Sequence, residues 1–408
     1  MRDKEFRERN IKRSWLKILG PGIITAALVF GPGSLTIASK LGAGFEYKLL
    51  WVVILTTFFM AIFTLMGARI GISLEKSLVL TIREKYGKAF SMIIGFGVFL
   101  VTASFQSGNS IGAGLAFAEL FNTSTVPWIL LFSLMAIALL FLKSFYKILE
   151  KIMVGMIGIM VFSFLITLIL SGPQILAIAK GIKPTLPSGS ELLVIALIAS
   201  SFSMVGAFYQ AYLVQERGWK KHQLKMCQYE SLTGIIILGM ITFMIMAAAG
   251  SVLFPKGIQV NSAAEMGTAL EPLFGNLAST VFMIGLFAAS FSSLLGNATL
   301  GGAVLADAFS LGNKLSSFPL RMLIMLVIVT GAIIAVAFSH LQLKLIVIAQ
   351  ALTMIVAPLV GVFILLISSN HRYMGDLKNN NFLLIAGILG LLIVLLLGLG
   401  FIRVLVFQ

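Results

Sequence analysis

Eleven stretches of mostly apolar residues, joined by short polar connections, limit what this chain can fold into more than any other feature. They fall at about 18–41, 47–72, 90–119, 126–143, 152–173, 192–215, 232–254, 275–306, 320–339, 343–369 and 382–402. A helix needs about twenty apolar residues to cross a hydrocarbon layer roughly 30 Å thick. No water is present there to satisfy backbone amides, so spanning segments are helices or closed barrels. Barrel strands alternate apolar and polar residues over about ten positions, and no such alternation occurs here. Charged residues make up 11% of the sequence and hydrophobic ones 59%, whereas a soluble domain carries about 25% charged residues. The expected fold is all-α and polytopic, with about eleven transmembrane helices in a lipid bilayer.

The net charge of +15 would suit a nucleic-acid partner only if the basic residues shared one surface. They sit between the apolar runs instead. With the N-terminus in the cytoplasm, 23 of the 30 Lys and Arg residues fall on the inner side, among them Arg69, Lys85, Lys147 and Lys221. That is the positive-inside pattern. It predicts an integral protein of the cytoplasmic membrane whose C-terminus is extracellular or periplasmic, and it excludes a nucleic-acid role. A basic segment runs straight into the first apolar run without a small-residue cleavage site, so no cleavable leader is expected. Cys227 is the single cysteine, which leaves no disulfide framework and no multi-cysteine metal cluster within the chain. Neither an enzyme active site nor a bound cofactor is expected. Recognition chemistry must lie within the helices.

Two spans carry residues that disfavour a continuous helix. The first reads Gly31-Pro32-Gly33-Ser34. Proline has no amide hydrogen and clashes with the preceding turn, and the flanking glycines favour non-helical backbone. The sixth reads Ser200-Ser201-Phe202-Ser203-Met204-Val205-Gly206, followed by Tyr209 and Gln210. Without a proline, that segment is equally compatible with close helix packing, in which hydroxyls bond back to carbonyls. Spans one and six open two successive sets of five. Interruptions at matching places in two halves point to a carrier built from inverted repeats, with its site at mid-membrane. The repeats would cover about 18–173 and 192–369, and an extra helix would cover 382–402.

Several segments resemble the Nramp-type divalent-metal transporters. They include Leu19-Gly20-Pro21-Gly22, Gly31-Pro32-Gly33, Gly67-Ala68-Arg69-Ile70-Gly71, Leu213-Val214-Gln215, the run Gly285 to Ser293, Ala349-Gln350 with Ala357-Pro358-Leu359, and Met374-Gly375-Asp376-Leu377. Their order and spacing cover most of the chain. The resemblance implies the LeuT-type fold of two inverted five-helix repeats, and metal ions as cargo. It also implies alternating access, with spans one, two, six and seven rocking against the rest.

The chemistry departs from the family pattern. Where typical members carry Asp-Pro-Gly-Asn, with the aspartate and asparagine binding metal, this chain has Gly31 and Ser34. The Met-Pro-His of the sixth span has only Met204 as a counterpart, shifted by one residue. Two acids associated with proton movement are matched by Gln106 and Asn109. A dehydrated divalent cation normally calls for carboxylates, and membrane proton relays run through Asp, Glu or His. The acidic residues Glu119, Glu150 and Asp307 fall towards span ends, and His222, His340 and His371 fall in connections.

The expected substrate site is therefore neutral: Gly31, Ser34, Ser203, Met204, Gly206, Tyr209, Gln210 and Gln350 around the Gly31-Pro32-Gly33 break. Ser34, Met204 and Gln350 are the best metal ligands it offers. Two readings stand. In one, the partner is a metal ion that keeps part of its hydration shell. In the other, it is a neutral or zwitterionic organic solute, oriented by helix ends and amides. A membrane sensor ranks below both, because no appended domain is there to pass on a signal. The oligomeric state is not readable.

Overall fold

The computed structural model describes residues 20–407 apart from 143, 261–262, 313–314, 316 and 339–341. The described residues form helices and their connections, without strands. Pro21–Val29 (α1) and Pro32–Phe45 (α2) make the first span and Leu50–Ser73 (α3) the second. A short surface helix, Leu78–Tyr86 (α4), leads into Lys88–Phe121 (α5), Thr125–Leu140 (α6) and Phe145–Ser171 (α7). After the small Ile175–Gly181 (α8), the pattern recurs with Glu191–Ser201 (α9), Met204–Arg217 (α10) and Leu224–Val252 (α11). Ala263–Phe274 (α12), Asn276–Ala308 (α13), Phe318–Ala337 (α14) and Gln342–Ser368 (α15) follow. His371–Met374 (α16) then turns the chain into Asn381–Phe407 (α17).

Among the described residues, eight helices are long and apolar enough to cross a bilayer, or up to ten if each of two bent pairs counts as one span. The expectation of eleven is not met by length and hydropathy. The difference lies in α6, which has 16 residues and so reaches only about 24 Å at 1.5 Å per residue. Large apolar side chains such as Leu134, Phe162, Ile333 and Leu396 are exposed, as lipid-facing positions should be. At the centre, the 34 residues of α5 and the 33 of α13 run against each other as the most extensive helix pair.

Both suspected interruptions are present. α1 and α2 meet at a 62° bend, and Phe30 and Gly31 are the two non-helical residues between them. Pro32 itself lies inside the second half-helix as its first residue, where a missing amide costs nothing. The sixth span also parts into two helices, with Phe202 at φ −92°, ψ 68° and Ser203 at φ −80°, ψ 94°. The Ser203 hydroxyl accepts the Gly206 amide at 3.0 Å. It is an N-cap, which starts a helix without help from proline.

The α3–α10 seam explains a motif that was notable in the sequence only for its resemblance. A Cβ placed on Gly67 would lie 2.2 Å from the Ala207 carbonyl oxygen, and one on Gly71 would lie 2.5 Å from that of Ala211. Glycine four residues apart lets the two backbones touch. Gly67→Val should therefore force α3 off α10 at a cost of about 1–3 kcal/mol or more. The expected outcome is a lower thermal midpoint in detergent, read by size-exclusion chromatography after heating, while Gly155→Val, which has open space around it, leaves the midpoint unchanged.

Cys227 is fully buried, so its silence towards a thiol reagent reports burial rather than a side of the membrane. The expected orientation is better tested in a Cys227→Ala background, with single cysteines at the exposed positions Asn122 and Lys221. Asn122→Cys should react with an impermeant maleimide in intact cells, whereas Lys221→Cys should react only after the cells are opened. The opposite pattern would invert the topology.

Candidate functional site

The helix breaks release backbone groups, and those groups define the site. At the end of α1, the Ala26 carbonyl is taken by the Phe30 amide at 3.0 Å. The Leu28 carbonyl has no helical partner available, because the residue four ahead is Pro32. Partners come instead from α13. Ser292 Oγ approaches the Ala27 carbonyl at 3.0 Å, Asn297 Nδ2 donates to the Leu28 carbonyl at 3.1 Å, and Ser293 Oγ lies 2.9 Å from the Phe30 carbonyl. The C-terminal ends of α1 and α9 carry partial negative charge and the N-terminal ends of α2 and α10 partial positive charge. Both breaks border one small cavity.

That cavity holds about 40 Å³, room for about three water-sized bodies. Its walls include the backbone at Val29, Gly31 and Gly33 and the side chains of Ser34, Asn109 and Ser203. Ser200, Ser293, Asn297 and Thr353 complete the polar lining. Every one of these groups is neutral. Among the described residues, no group of three or more His, Cys, Asp or Glu is arranged to hold a metal ion.

Gly31 is glycine for want of space. A Cβ there would come within 3.0 Å of both Asn109 Oδ1 and Ser293 Oγ. The volume that a side chain at this position would fill is thus bordered by an amide and a hydroxyl. Asn109 is held in turn by Gln106, whose Oε1 accepts its Nδ2 at 3.3 Å, and Gln106 Nε2 donates to the Leu294 carbonyl at 2.8 Å. Asn109 lines the cavity and Gln106 stands behind it as a brace.

The residues expected to share the site divide into groups. Gly31, Gly33, Ser34 and Ser203 line it. Met204 is fully buried and points its sulfur at α15, 2.5 Å from where a Cβ on Gly361 would be. Gly206 lies under Val29, whose Cγ2 would be 2.8 Å from an added Cβ. Gln210 accepts from Thr25 Oγ1 and donates to Ser231 Oγ at 2.9 Å, so it ties α10 to α1 and α11. Pro32 packs against Gly112 of α5. The side chain of Gln350 lies outside the described residues, as does His340. Tyr209 borders a second, larger space.

This second space is a vestibule of about 670 Å³ between the C-terminal ends of α3 and α10, bordered by Tyr209, Tyr212, Gln215, Trp219 and Ala303. Along α13 the small cavity reaches Leu300 and the vestibule begins at Ala303, one helical turn or about 4.5 Å further. At the opposite end α12 covers the bundle, with Met266 buried against Ser39. The enclosed site is therefore separated by a single turn from the side expected to be cytoplasmic.

Two carboxylates are buried, one of them, Asp307, at the span end where it was expected. Glu230, expected in a connection, is buried within α11 and accepts the Gly20 and Gly22 amides at 2.8 Å, which caps the start of α1. Asp307 on α13 is fully buried and accepts from Ser77 Oγ and, at 2.6 Å, from Tyr212 OH. Nearby, Glu150 of α7 pairs with Arg217 of α10. These acids fasten helix ends on the vestibule side and do not border the small cavity.

Comparison with known proteins agrees with this geometry. The divalent metal cation transporter MntH of Yersinia pestis (strain Pestoides F) is 26% identical over 392 residues, covering 95% of this chain and 94% of the relative. The Eremococcus coleocola manganese transporter superposes with a TM-score of 0.80 at 20% identity, covering 94% of this chain and 86% of that one. MHP1, a nucleobase-cation-symport-1 family transporter, shares the architecture with a TM-score of 0.62 at 14% identity, covering 94% and 92%. These structural likenesses confirm a LeuT-type helical fold. The profile described as natural resistance-associated macrophage protein-like matches residues 22–403, and this chain belongs to the Nramp family.

Proposed function

We propose that this protein is a membrane carrier for a divalent metal ion, bound at the two helix breaks with part of its hydration shell retained. The observation that carries the reading is the size and chemistry of the small cavity: about 40 Å³, in which neutral hydroxyl and amide groups face apolar walls that include Val101, Phe105 and Leu300. Pockets for larger organic ligands run to about 300–1,000 Å³, so an organic solute is the less favoured cargo. Named relatives support the metal reading, since the Yersinia protein is a divalent metal cation transporter and the Eremococcus protein a manganese transporter.

Hydroxyls, amide oxygens and backbone carbonyls are hard ligands, suited to Mg²⁺, Ca²⁺ and Mn²⁺. The only sulfur expected at the site, that of Met204, is turned towards α15. Ser34, Ser203, Asn109 and Asn297 would contact the ion directly or through water. Without a carboxylate the site binds weakly, and weak binding suits release into the vestibule. We further propose that the two repeats, about 18–173 and 192–369, rock against each other around this point, with the N-terminus cytoplasmic. Neither Gln106 nor Asn109 can carry a proton as an acid would, so the proton path that the family resemblance implies is not available at these two positions.

Purified protein in liposomes should admit Mn²⁺, followed by an internal fluorescent chelator, at a rate unchanged by an imposed pH gradient. Cd²⁺ should enter more slowly. Absence of flux for Mn²⁺, Mg²⁺ and Ca²⁺ alike would sink the metal reading, and proton influx in fixed ratio to uptake would reveal a relay.

A second measurement addresses the ligands. By calorimetry the wild type should bind Mn²⁺ more weakly than micromolar. The double change Gly31→Asp with Ser34→Asn places a carboxylate beside Asn109 and Ser293 and should tighten binding about tenfold or more. Crowding and an unpaired buried charge should lower its thermal midpoint in chelator, and Mn²⁺ should restore it. Micromolar binding by the wild type would show that the neutral site is already sufficient.

A further inference from the structure

The two faces of α11 are unlike. Cys227, Glu230, Ser231 and Gly234 are buried against the protein, and a Cβ added to Gly234 would fall 2.1 Å from the Gly22 carbonyl oxygen. Lys225, Gln228, Tyr229 and Leu232 recur at spacings of three and four and so share the opposite face. With Leu65 of α3 they border an open groove of about 350 Å³. Lys225 and Tyr229 are exposed at its polar end. Beyond Leu65 and Leu232, α3 presents Ile54 and Phe58 and α11 presents Ile236 and Met240, all exposed, so the groove runs on into the lipid-facing surface. α11 has 29 residues and is about 43 Å long, against a hydrocarbon layer of roughly 30 Å. Its charged first turn therefore stands among the headgroups, and Leu232 lies about 10 Å deeper.

The polar end carries charge with nothing of opposite sign on its face. Among the described residues Lys225 makes no ion pair, and no acid shares the stripe with it. Glu230 is the acid that follows it on α11, and it is turned away and held by the Gly20 and Gly22 amides. Lys221, in the turn that leads into α11, adds a second exposed cation. We propose that this groove is a binding site for one anionic phospholipid. Its phosphate meets the Lys225 ammonium, with Gln228 and the Tyr229 hydroxyl beside it, and one acyl chain lies along Leu65 and Leu232. Basic pockets between spanning helices select anionic headgroups in this way, and tyrosine belongs at the same level. A zwitterionic lipid brings its own cation to the rim and gains less from Lys225. A soluble partner is disfavoured because the apolar half of the groove opens only towards lipid.

The consequence for transport rests on the carrier reading above; the binding itself does not. Lys220 and Lys221 border the vestibule, so a cation leaving the small cavity meets positive charge at its rim. A lipid phosphate on the adjoining first turn of α11 offsets that charge and eases passage. Anionic lipid thus acts on the route of the cargo without touching the cargo.

The test uses the purified full-length chain in an uncharged detergent. By native mass spectrometry it should hold one dioleoylphosphatidylglycerol about fivefold or more tightly than dioleoylphosphatidylcholine. Its thermal midpoint should rise with the anionic lipid, and free glycerol 3-phosphate should not substitute. Lys225→Gln should lose the preference, about fivefold, and Leu232→Trp, which fills the apolar half, should weaken binding of the same lipid. Lys151→Gln, at an exposed lysine of α7, should change neither. Equal binding of the two lipids by the wild type overturns the proposal, whatever the variants do. A preference that survives both Lys225→Gln and Leu232→Trp overturns the location, and stabilisation by glycerol 3-phosphate equal to that by the lipid overturns the groove as part of the site. Should Leu232→Trp not yield folded protein, Lys225→Gln decides, since its side chain is exposed. In liposomes, Mn²⁺ flux should be faster with phosphatidylglycerol than with phosphatidylcholine alone, and Lys225→Gln should blunt the difference. Selective lipid binding without any divalent flux would remove the carrier reading and leave this site standing; flux without selective binding would do the reverse.

Discussion

Backbone satisfaction in a medium without water governs this structure. A continuous helix meets that demand by itself, and a broken one cannot. Wherever α1 or α9 ends inside the membrane, carbonyls are left that some other helix must serve. The serines and asparagine of α13 take up those of α1, and Ser203 takes up an amide at the start of α10. The polar residues of the core are therefore neither scattered nor decorative. They lie where the helices stop. The small cavity is the space left over when two interrupted helices are satisfied from a third.

This explains the neutral chemistry. A carboxylate at position 31 would bring charge to the break, but in this chain Asn109 and Ser293 stand against the glycine there. Two positions change character together, since Gly31 has no side chain and Asn109 is an amide, while Ser293, which belongs to the segment that resembles the family, is a hydroxyl that reaches several carbonyls. The family fold is retained while the electrostatics of its centre are rewritten. Family membership fixes the architecture and leaves the cargo to be argued from the lining.

Much of this was legible from sequence. Apolar run length located the spans, and Pro32 with its glycines located the first break to within two residues. The second break was ambiguous because its device is a serine cap, which reads the same as a serine packed in a continuous helix. Gln210 was expected at the site and is not there. It lies seven residues beyond Ser203, about 10 Å down the helix, where Thr25 and Ser231 meet it. Glu230 was placed in a connection because its span was drawn from Leu232. A buried carboxylate three residues outside an apolar run is invisible until the start of α1 is seen docking onto it. Asn297 gave no signal, since one asparagine among small residues can equally be a packing contact.

The capping of α1 has a mechanical consequence. This nine-residue rod is fastened at both tips. At its start Glu230 of α11 holds the Gly20 and Gly22 amides; at its end the hydroxyls of α13 hold carbonyls. The first fastening is a carboxylate on backbone amides and the second is neutral, and charge-assisted hydrogen bonds are roughly twice as strong as neutral ones. The weaker of the two fastenings is therefore the neutral tip, and that is the one whose residues Leu28 and Val29 line the cavity.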